Sequence, residues 1–167
     1  MDSSHGHWMA GLIDGEGCFT IRKGTRVNCY CEFALGLRLD DRAVLDELVA
    51  ATGLGKVRHH RKTVGTDFAE WRVVSKPDCS ALSHLLEEFP LRAKKRLDYE
   101  VWKRAVDVWM TIKPSFGSSN LAAWNTMSAL ALELKSVRMY GTDNRTTEGP
   151  PGEGLCDSKS SGISDPG

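Results

Sequence analysis

Helix and strand signals alternate along this chain in one definite order, and that order limits the fold more than any other feature. An apolar helical stretch at residues 8–13 ends at Gly15 and Gly17, and a β-prone segment begins immediately after it. Two predicted hairpins are separated by an amphipathic helix at residues 41–51. Three more helices complete the order αββαββααα, at residues 77–89, 91–112 and 119–139. This order predicts an α+β fold, with one four-stranded antiparallel sheet and its helices on one face.

Local signals set the expected boundaries of these elements. Ser3 or Ser4 is suited to cap the first helix and Asp40 the second, while Gly53 is suited to end the second helix. Pro77 fits the first turn of the third helix. The four strands are expected at residues 18–23, 27–39, 55–63 and 66–75.

Length and composition predict a single domain over residues 1–140, followed by a disordered tail over residues 141–167 that is rich in Gly, Pro, Ser and Asp. The net charge of zero conceals an asymmetry, because residues 1–140 hold 20 basic and 17 acidic residues and the tail holds 2 and 5. The sequence shows neither a secretory signal nor an apolar run of membrane-spanning length. We therefore expect a protein that is not secreted, has no membrane partner and acts in the cytoplasm, the nucleoid or an organelle matrix.

The segment at residues 9–17, MAGLIDGEG, carries the chemistry. Gly11 and Gly15 stand four residues apart on one helix face, so two copies of the helix can bring their backbones close together. Such a contact would place the two Glu16 carboxylates side by side. Two carboxylates that close repel each other unless a hard cation lies between them, and oxygen ligands suit Mg²⁺.

This segment resembles the nine-residue signature of the LAGLIDADG family of homing endonucleases. It matches closely at residues 10–14 and at Gly17, and Met9, Gly15 and Glu16 are ordinary variants in the family. The resemblance covers roughly residues 8–140 and implies the family's αββαββα fold, in which the sheet forms a saddle. It also implies a homodimer of the single-motif type, and the expected dimer contacts are Ala10, Gly11, Ile13, Asp14 and Gly15.

The implied activity is site-specific hydrolysis of phosphodiester bonds in double-stranded DNA, at a long pseudo-palindromic site and with short 3′ overhangs. Glu16 and the backbone carbonyl of Gly15 are the implied metal ligands, for Mg²⁺ or Mn²⁺ with Ca²⁺ as a non-cleaving substitute. Lys94 aligns with a basic residue that lies near the scissile phosphate in the family and is the second catalytic candidate. Asp14 is expected to brace the helix end. No small-molecule substrate is expected.

The resemblance also implies that the saddle lies in the major groove, and strand alternation then predicts which side chains face the bases. Arg38 and Arg42 are candidate contacts to the phosphate backbone, and Arg22 and Arg58 can each pair with guanine. The remaining candidates on the two hairpins are Thr20, Asn28, Tyr30, Glu32, Lys56, His60 and Arg72.

Other functions on the same scaffold are an intron RNA maturase and a catalytically inactive DNA-binding protein. The retained Glu16 favours the nuclease, because pure binding does not need a metal carboxylate. A transcription regulator of the family would carry two repeats and a helix-turn-helix domain, and the sequence shows neither. Intein splicing is disfavoured because a nucleophile at the N-terminus and a terminal His-Asn pair are both missing.

Overall fold

The structure is a computed structural model and describes residues 1–24, 29–113 and 120–139. A short 3₁₀ turn, Leu39–Asp41, links the second strand to the second helix. The elements in chain order are α1 (Ser3–Glu16), β1 (Gly17–Lys23), β2 (Cys29–Arg38), α2 (Arg42–Thr52), β3 (Lys56–His60), β4 (Phe68–Val73), α3 (Lys76–Glu88), α4 (Lys95–Thr111) and α5 (Leu121–Met139).

The four strands form one sheet in the order β1-β2-β4-β3, and every neighbouring pair is antiparallel. The predicted α+β class and the four-stranded antiparallel sheet are therefore confirmed. The predicted tail at residues 141–167 lies outside the described residues. Within the described ranges, no helix is long and apolar enough to cross a membrane.

The core lies on one face of the sheet, where alternate strand residues meet the helices. Phe19 contacts Phe33 and Trp102, with ring centroids 5.1 Å and 5.2 Å apart, and Phe33 contacts Trp71 at 5.4 Å. All four rings are fully buried. Each helix contributes at least one residue with no exposed surface: Ile13, Leu48, Leu82, Trp102 and Met127. The expected placement of the helices on one face is confirmed.

Three predicted boundaries are wrong, each for a local reason. Asp2 caps α1 by accepting a hydrogen bond from His5 N–H at 2.9 Å, whereas the serines proposed as caps do not. Asp40 does not cap α2, because its carboxylate pairs with the Arg38 guanidinium at 3.0 Å within the 3₁₀ turn. Helix α4 begins at Lys95 and not at residue 91, since the preceding amides bind a carboxylate of α1.

Two other boundary signals behave as expected, whereas the second hairpin differs from the prediction. Gly53 ends α2 in the left-handed region at φ 69°, which glycine adopts without strain. Pro77 lies in the first turn of α3. The strands of the second hairpin are shorter than predicted. The connecting residues fold back there, with Asp67 accepting from the Lys62 N–H at 3.0 Å.

Candidate nucleic-acid interface and cleavage site

The face of the sheet opposite the core carries a set of polar side chains that is rich in arginine and lysine. Along each strand they alternate with core residues, so Thr20 and Arg22 project away from the side that holds Phe19 and Ile21. We call this surface the free face. It holds eight of the residues predicted to contact DNA, namely Thr20, Arg22, Tyr30, Glu32, Lys56, Arg58, His60 and Arg72. Asn28 lies outside the described residues.

The registers place basic residues next to each other on this face. Lys56 on β3 lies directly opposite Arg72 on β4, although like charges at such positions destabilise a sheet. Lys56 and Arg58 are exposed, and neither has an ion-pair partner among the residues that the structure describes. A surface with unpaired adjacent cations is suited to a polyanion.

Glu32 is the acidic centre of the free face and is only 3% exposed. Arg22 donates from Nε to Glu32 Oε2 at 2.9 Å and from Nη2 to Oε1 at 3.2 Å. Arg72 donates from Nη2 to Glu32 Oε2 at 2.7 Å. Burial by itself raises the pKa of Glu32, but the hydrogen bonds from Arg72 and Arg22 outweigh it, so that the pKa lies below its ordinary value. The carboxylate is therefore charged and enclosed, and its own contact with DNA stays a prediction, because one of the two arginines would have to move first.

His60 is also held by its neighbours. Its ring stacks on Phe68 with centroids 4.5 Å apart and an interplanar angle of 8°, and its Nε2 lies 3.2 Å from Glu70 Oε2. The Lys62 ammonium lies 5.1 Å from the centroid of the Phe68 ring. These contacts hold the end of β3 against the start of β4, so the polar groups of His60 and Lys62 have defined positions.

Arg38 and Arg42, the predicted backbone contacts, lie at the end of β2 and the start of α2. Arg38 pairs with Asp40 at 3.0 Å and Arg42 with Asp46 at 3.1 Å, and all four side chains are largely exposed. Exposed pairs of this kind contribute little to stability, so they can be exchanged for a phosphate at small cost. Their contact with DNA stays a prediction.

Glu16 is the last residue of α1 and is exposed, with no partner among the described residues. Gly17 follows it directly and begins β1, so the carboxylate sits where the helix meets the sheet. Glycine is required at position 17, because a Cβ there would lie 2.6 Å from the Ile13 carbonyl oxygen. This close packing fixes the backbone that carries Glu16.

The end of α1 suits a divalent cation. Carbonyl groups in the last turn of a helix, Gly15 among them, lack intrahelical partners, and the helix dipole adds negative potential there. With the Glu16 carboxylate they form a set of hard oxygen donors, which magnesium and calcium prefer. The described residues contain no group of three His, Cys, Asp or Glu side chains able to hold a metal. Glu16 and the Gly15 carbonyl would therefore need further oxygen ligands to complete the coordination of such an ion.

Asp14 connects α1 to the segment that precedes α4. Its Oδ2 accepts hydrogen bonds from the backbone N–H of Arg92 at 2.7 Å and of Ala93 at 3.0 Å. Lys94, the next residue, is exposed and lines a cavity of about 330 Å³ together with Asp14, Lys95, Asp98 and Arg138. The two predicted catalytic residues, Glu16 and Lys94, are therefore tied to each other through the bonds of Asp14.

The outer face of α1 is open at two glycines. A Cβ added at Gly11 or at Gly15 would meet nothing within 4 Å, and the neighbouring Trp8 is 40% exposed. Ala10 and Ile13 point inward instead and are 4% and 0% exposed. Their positions on the helix place them in the chain's own core, and their contact with a second subunit stays a prediction. Asp14 is likewise engaged within the chain.

Several of these relationships were missed from the sequence. Strand parity identified the free face correctly, but parity alone does not reveal that Glu32 lies between two arginines from different strands. That placement follows from the register of β2 and β4, which puts Arg72 within reach of Glu32, and the sequence alone does not give this register. The bonds of Asp14 span 78 and 79 positions, a separation that no local signal reports.

Comparison with known proteins agrees with this fold. A family model described as LAGLIDADG endonuclease matches residues 9–106, which is more than half of the chain. The matched part begins in α1 just before the two open glycines and ends within α4. The chain belongs to the LAGLIDADG endonuclease family.

Individual relatives resemble the chain over most of its length. A probable intron-encoded endonuclease Cox1-I1b of Schizosaccharomyces pombe is 23% identical over 141 residues, covering 82% of this chain and 35% of the relative. The crystal structure of the homing endonuclease I-TnaI is 22% identical, with a TM-score of 0.65, over 81% of this chain and 96% of that one. The LAGLIDADG meganuclease I-AabMI bound to uncleaved DNA is 26% identical, with a TM-score of 0.64, over 75% and 43%. The chain thus spans about a third of the curated relative and under half of the meganuclease.

Proposed function

We propose that this chain is one subunit of a homing endonuclease that hydrolyses phosphodiester bonds at a specific site in double-stranded DNA. The observation that carries the proposal is the position of Glu16. It is an exposed, unpaired carboxylate at the junction of α1 and β1, beside a free face that presents arginine and lysine. A carboxylate next to a cationic surface suits metal-assisted phosphodiester chemistry better than it suits binding alone.

The free face supplies the proposed contact with DNA. A two-stranded antiparallel ribbon fits the major groove of B-DNA, and alternate side chains then face the base edges. Arg58 and Lys56 are free to approach bases or phosphates, while Arg38 and Arg42 lie near the end of β2 for backbone contacts. The meganuclease I-AabMI, which shares this fold, was crystallised bound to DNA.

Glu16 and the Gly15 carbonyl would hold the metal ion. Endonucleases of this family depend on divalent metals, and we propose Mg²⁺ as the ion used here, with Mn²⁺ able to replace it and Ca²⁺ able to bind without cleavage. When bound, the ion activates water and offsets charge at the phosphate. Glu16 holds the ion in place, and Lys94 offsets part of the negative charge near the scissile phosphate.

A homodimer completes the proposed enzyme. Gly11 and Gly15 leave the α1 surface open, so a second copy of the helix can approach closely and bring a second Glu16 to the first. A twofold arrangement of two saddles implies a long, pseudo-palindromic target. It also implies one cut in each strand, which we expect to leave short 3′ overhangs. Action on DNA would place the protein in a nucleoid or an organelle matrix.

Selection of cleaved targets tests this function directly. The full chain is incubated with a randomised duplex library and Mg²⁺, cut molecules are captured by their ends, and the recovered sequences are compared with those from a parallel incubation in EDTA. The proposal expects one long target with approximate twofold symmetry, recovered only with the metal. A library that yields no cut molecules with either Mg²⁺ or Mn²⁺ would contradict it.

A further inference from the structure

We infer that Glu32 is a positioning residue for DNA recognition, which holds the guanidinium groups of Arg22 and Arg72 in fixed orientations on the free face. Base discrimination by these two arginines would then depend on a carboxylate that never touches DNA. The inference rests on the proposed function and extends it, since it concerns how the free face distinguishes one target from another.

The carboxylate is placed to act only through the arginines. Its side chain is 3% exposed, and both of its oxygens accept hydrogen bonds, from Arg22 and from Arg72. The backbone beneath it is also fixed, because Trp102 donates from its buried Nε1 to the Glu32 carbonyl oxygen at 3.1 Å. A base edge would have to displace an arginine before it could reach Glu32.

The sheet register explains why one carboxylate reaches two arginines. Arg22 on β1 lies opposite Tyr30, two residues before Glu32 on β2. Arg72 on β4 lies opposite Ala34, two residues after it. Glu32 therefore has a diagonal neighbour on each of the two strands that flank β2. Its hydrogen bonds to them link β1, β2 and β4 across the free face.

The bonds leave donors available for DNA. A guanidinium group has five N–H donors, and Arg22 uses two of them on Glu32, which leaves three. The Arg22 side chain is 50% exposed and that of Arg72 is 23% exposed. An arginine that is already ordered loses less rotamer freedom when it pairs with guanine, so its orientation can be used for discrimination.

Lys56 and Arg58 provide the contrast on the same face. Both are exposed, and neither is held by an acidic side chain among the described residues. Glu70, which lies opposite Arg58 in the register, directs its carboxylate to His60. The free face thus carries two kinds of cation, and of its described residues only Arg22 and Arg72 are restrained by an enclosed carboxylate.

The test compares Glu32→Gln with Arg22→Ala and Arg72→Ala. Affinities of the full chain are measured for the selected target, for each single-base variant of it and for an unrelated duplex. Glu32→Gln is expected to lower discrimination about tenfold at the base pairs where the arginine variants lower it. Affinity for the unrelated duplex is expected to stay level or rise, because a negative charge has been removed. A general loss of structure would instead lower the affinity for the selected target and for the unrelated duplex alike.

Glu70→Gln is the matched control, since it removes the same charge from the same face but leaves the Arg22 and Arg72 bonds intact. It should not change discrimination at those base pairs. If Glu32→Gln fails to fold, Glu32→Asp keeps the charge and shortens the reach, and the same loss of discrimination is expected from it. In a chain that already lacks both arginines, the Glu32 substitution should have no further effect on discrimination.

Two results would overturn the inference alone. The first is that the wild-type chain selects a target, while a folded Glu32→Gln variant distinguishes the single-base variants of that target as well as the wild type does. The other is a Glu32 effect that adds in full to the loss of both arginines. A wild-type chain that binds no duplex above background would overturn the proposed function, and this inference with it.

Discussion

The Asp14 carboxylate accepts a hydrogen bond from the backbone N–H of Arg92 at 2.7 Å, across 78 positions of the chain. Ala93 donates to the same oxygen at 3.0 Å. Asp14 is two residues before Glu16, and Lys94 directly follows Ala93. One carboxylate therefore sets the position of both proposed catalytic residues relative to each other.

Removal of this bond should impair cleavage more than binding. Asp14→Ala leaves two backbone N–H groups without their acceptor, so the segment before α4 is expected to move and carry Lys94 away from the site. We expect the single-turnover cleavage rate at saturating protein to fall at least about tenfold, with DNA affinity changed by less than about threefold. Asp14→Asn keeps one acceptor oxygen and should retain more activity. Equal losses in rate and in affinity for Asp14→Ala would argue against this role.

Substitution of Gly11 should weaken the pairing of two chains without weakening the fold of each chain. A Cβ at Gly11 meets nothing within 4 Å, so Gly11→Leu is expected to leave the free energy of unfolding level or up to about 1 kcal/mol higher, because leucine favours helix. The added side chain should block the approach of a second helix, and sedimentation in the presence of DNA should then show one chain where the wild type shows two.

Gly17→Ala is the contrasting control, since its Cβ would lie 2.6 Å from the Ile13 carbonyl oxygen. It should lower the melting temperature irrespective of association. A Gly11→Leu chain that pairs as tightly as wild type would remove the α1 surface from the proposed dimer.

The enclosed carboxylate of Glu32 should give stability a defined dependence on pH. Its pKa is lower in the folded chain than its ordinary value of 4.5, so its contribution is fully present above that value and is lost as pH falls through the folded pKa. Glu32→Gln should remove this dependence and lower the free energy of unfolding by about 2 kcal/mol at neutral pH. Denaturant titrations between pH 3 and pH 7 measure both effects.

Asp46→Asn provides the comparison, because the Arg42–Asp46 pair is exposed and should change the same curves very little. Identical pH profiles for wild type and Glu32→Gln would show that the two arginine bonds do not stabilise the folded chain.

Much of the fold could be predicted because it follows from local patterns. The period-two alternation in β1 and β2 identifies the core side, and Gly53 and Pro77 have conformational preferences that act within a few residues. The roles of Asp14 and Glu32 could not be predicted, because each depends on partners that only the tertiary register brings together. The burial of Ala10 and Ile13 in the chain's own core could not be predicted from the motif alone, because a helix presents successive residues to different sides.

Lys94 and Lys95 offer a test of position at constant charge. Both line the cavity beside Asp14, but only Lys94 directly follows the segment that Asp14 holds. Lys94→Ala is expected to lower the single-turnover cleavage rate roughly 100-fold, the usual cost of losing one group that stabilises transition-state charge. Lys95→Ala should lower it far less. Equal effects would indicate a general contribution of positive charge and not a specific role of Lys94.

The most direct test of the account is Glu16→Gln, which keeps the size of the side chain and removes its charge. Binding is measured with the selected target and Ca²⁺, and cleavage with Mg²⁺, with Glu88→Gln as an exposed control carboxylate that is distant in sequence. The account predicts a Glu16→Gln chain that binds its target within about threefold of wild type and leaves it uncut, since the ligand that holds the metal is lost. A Glu16→Gln chain that cuts as fast as wild type would contradict it.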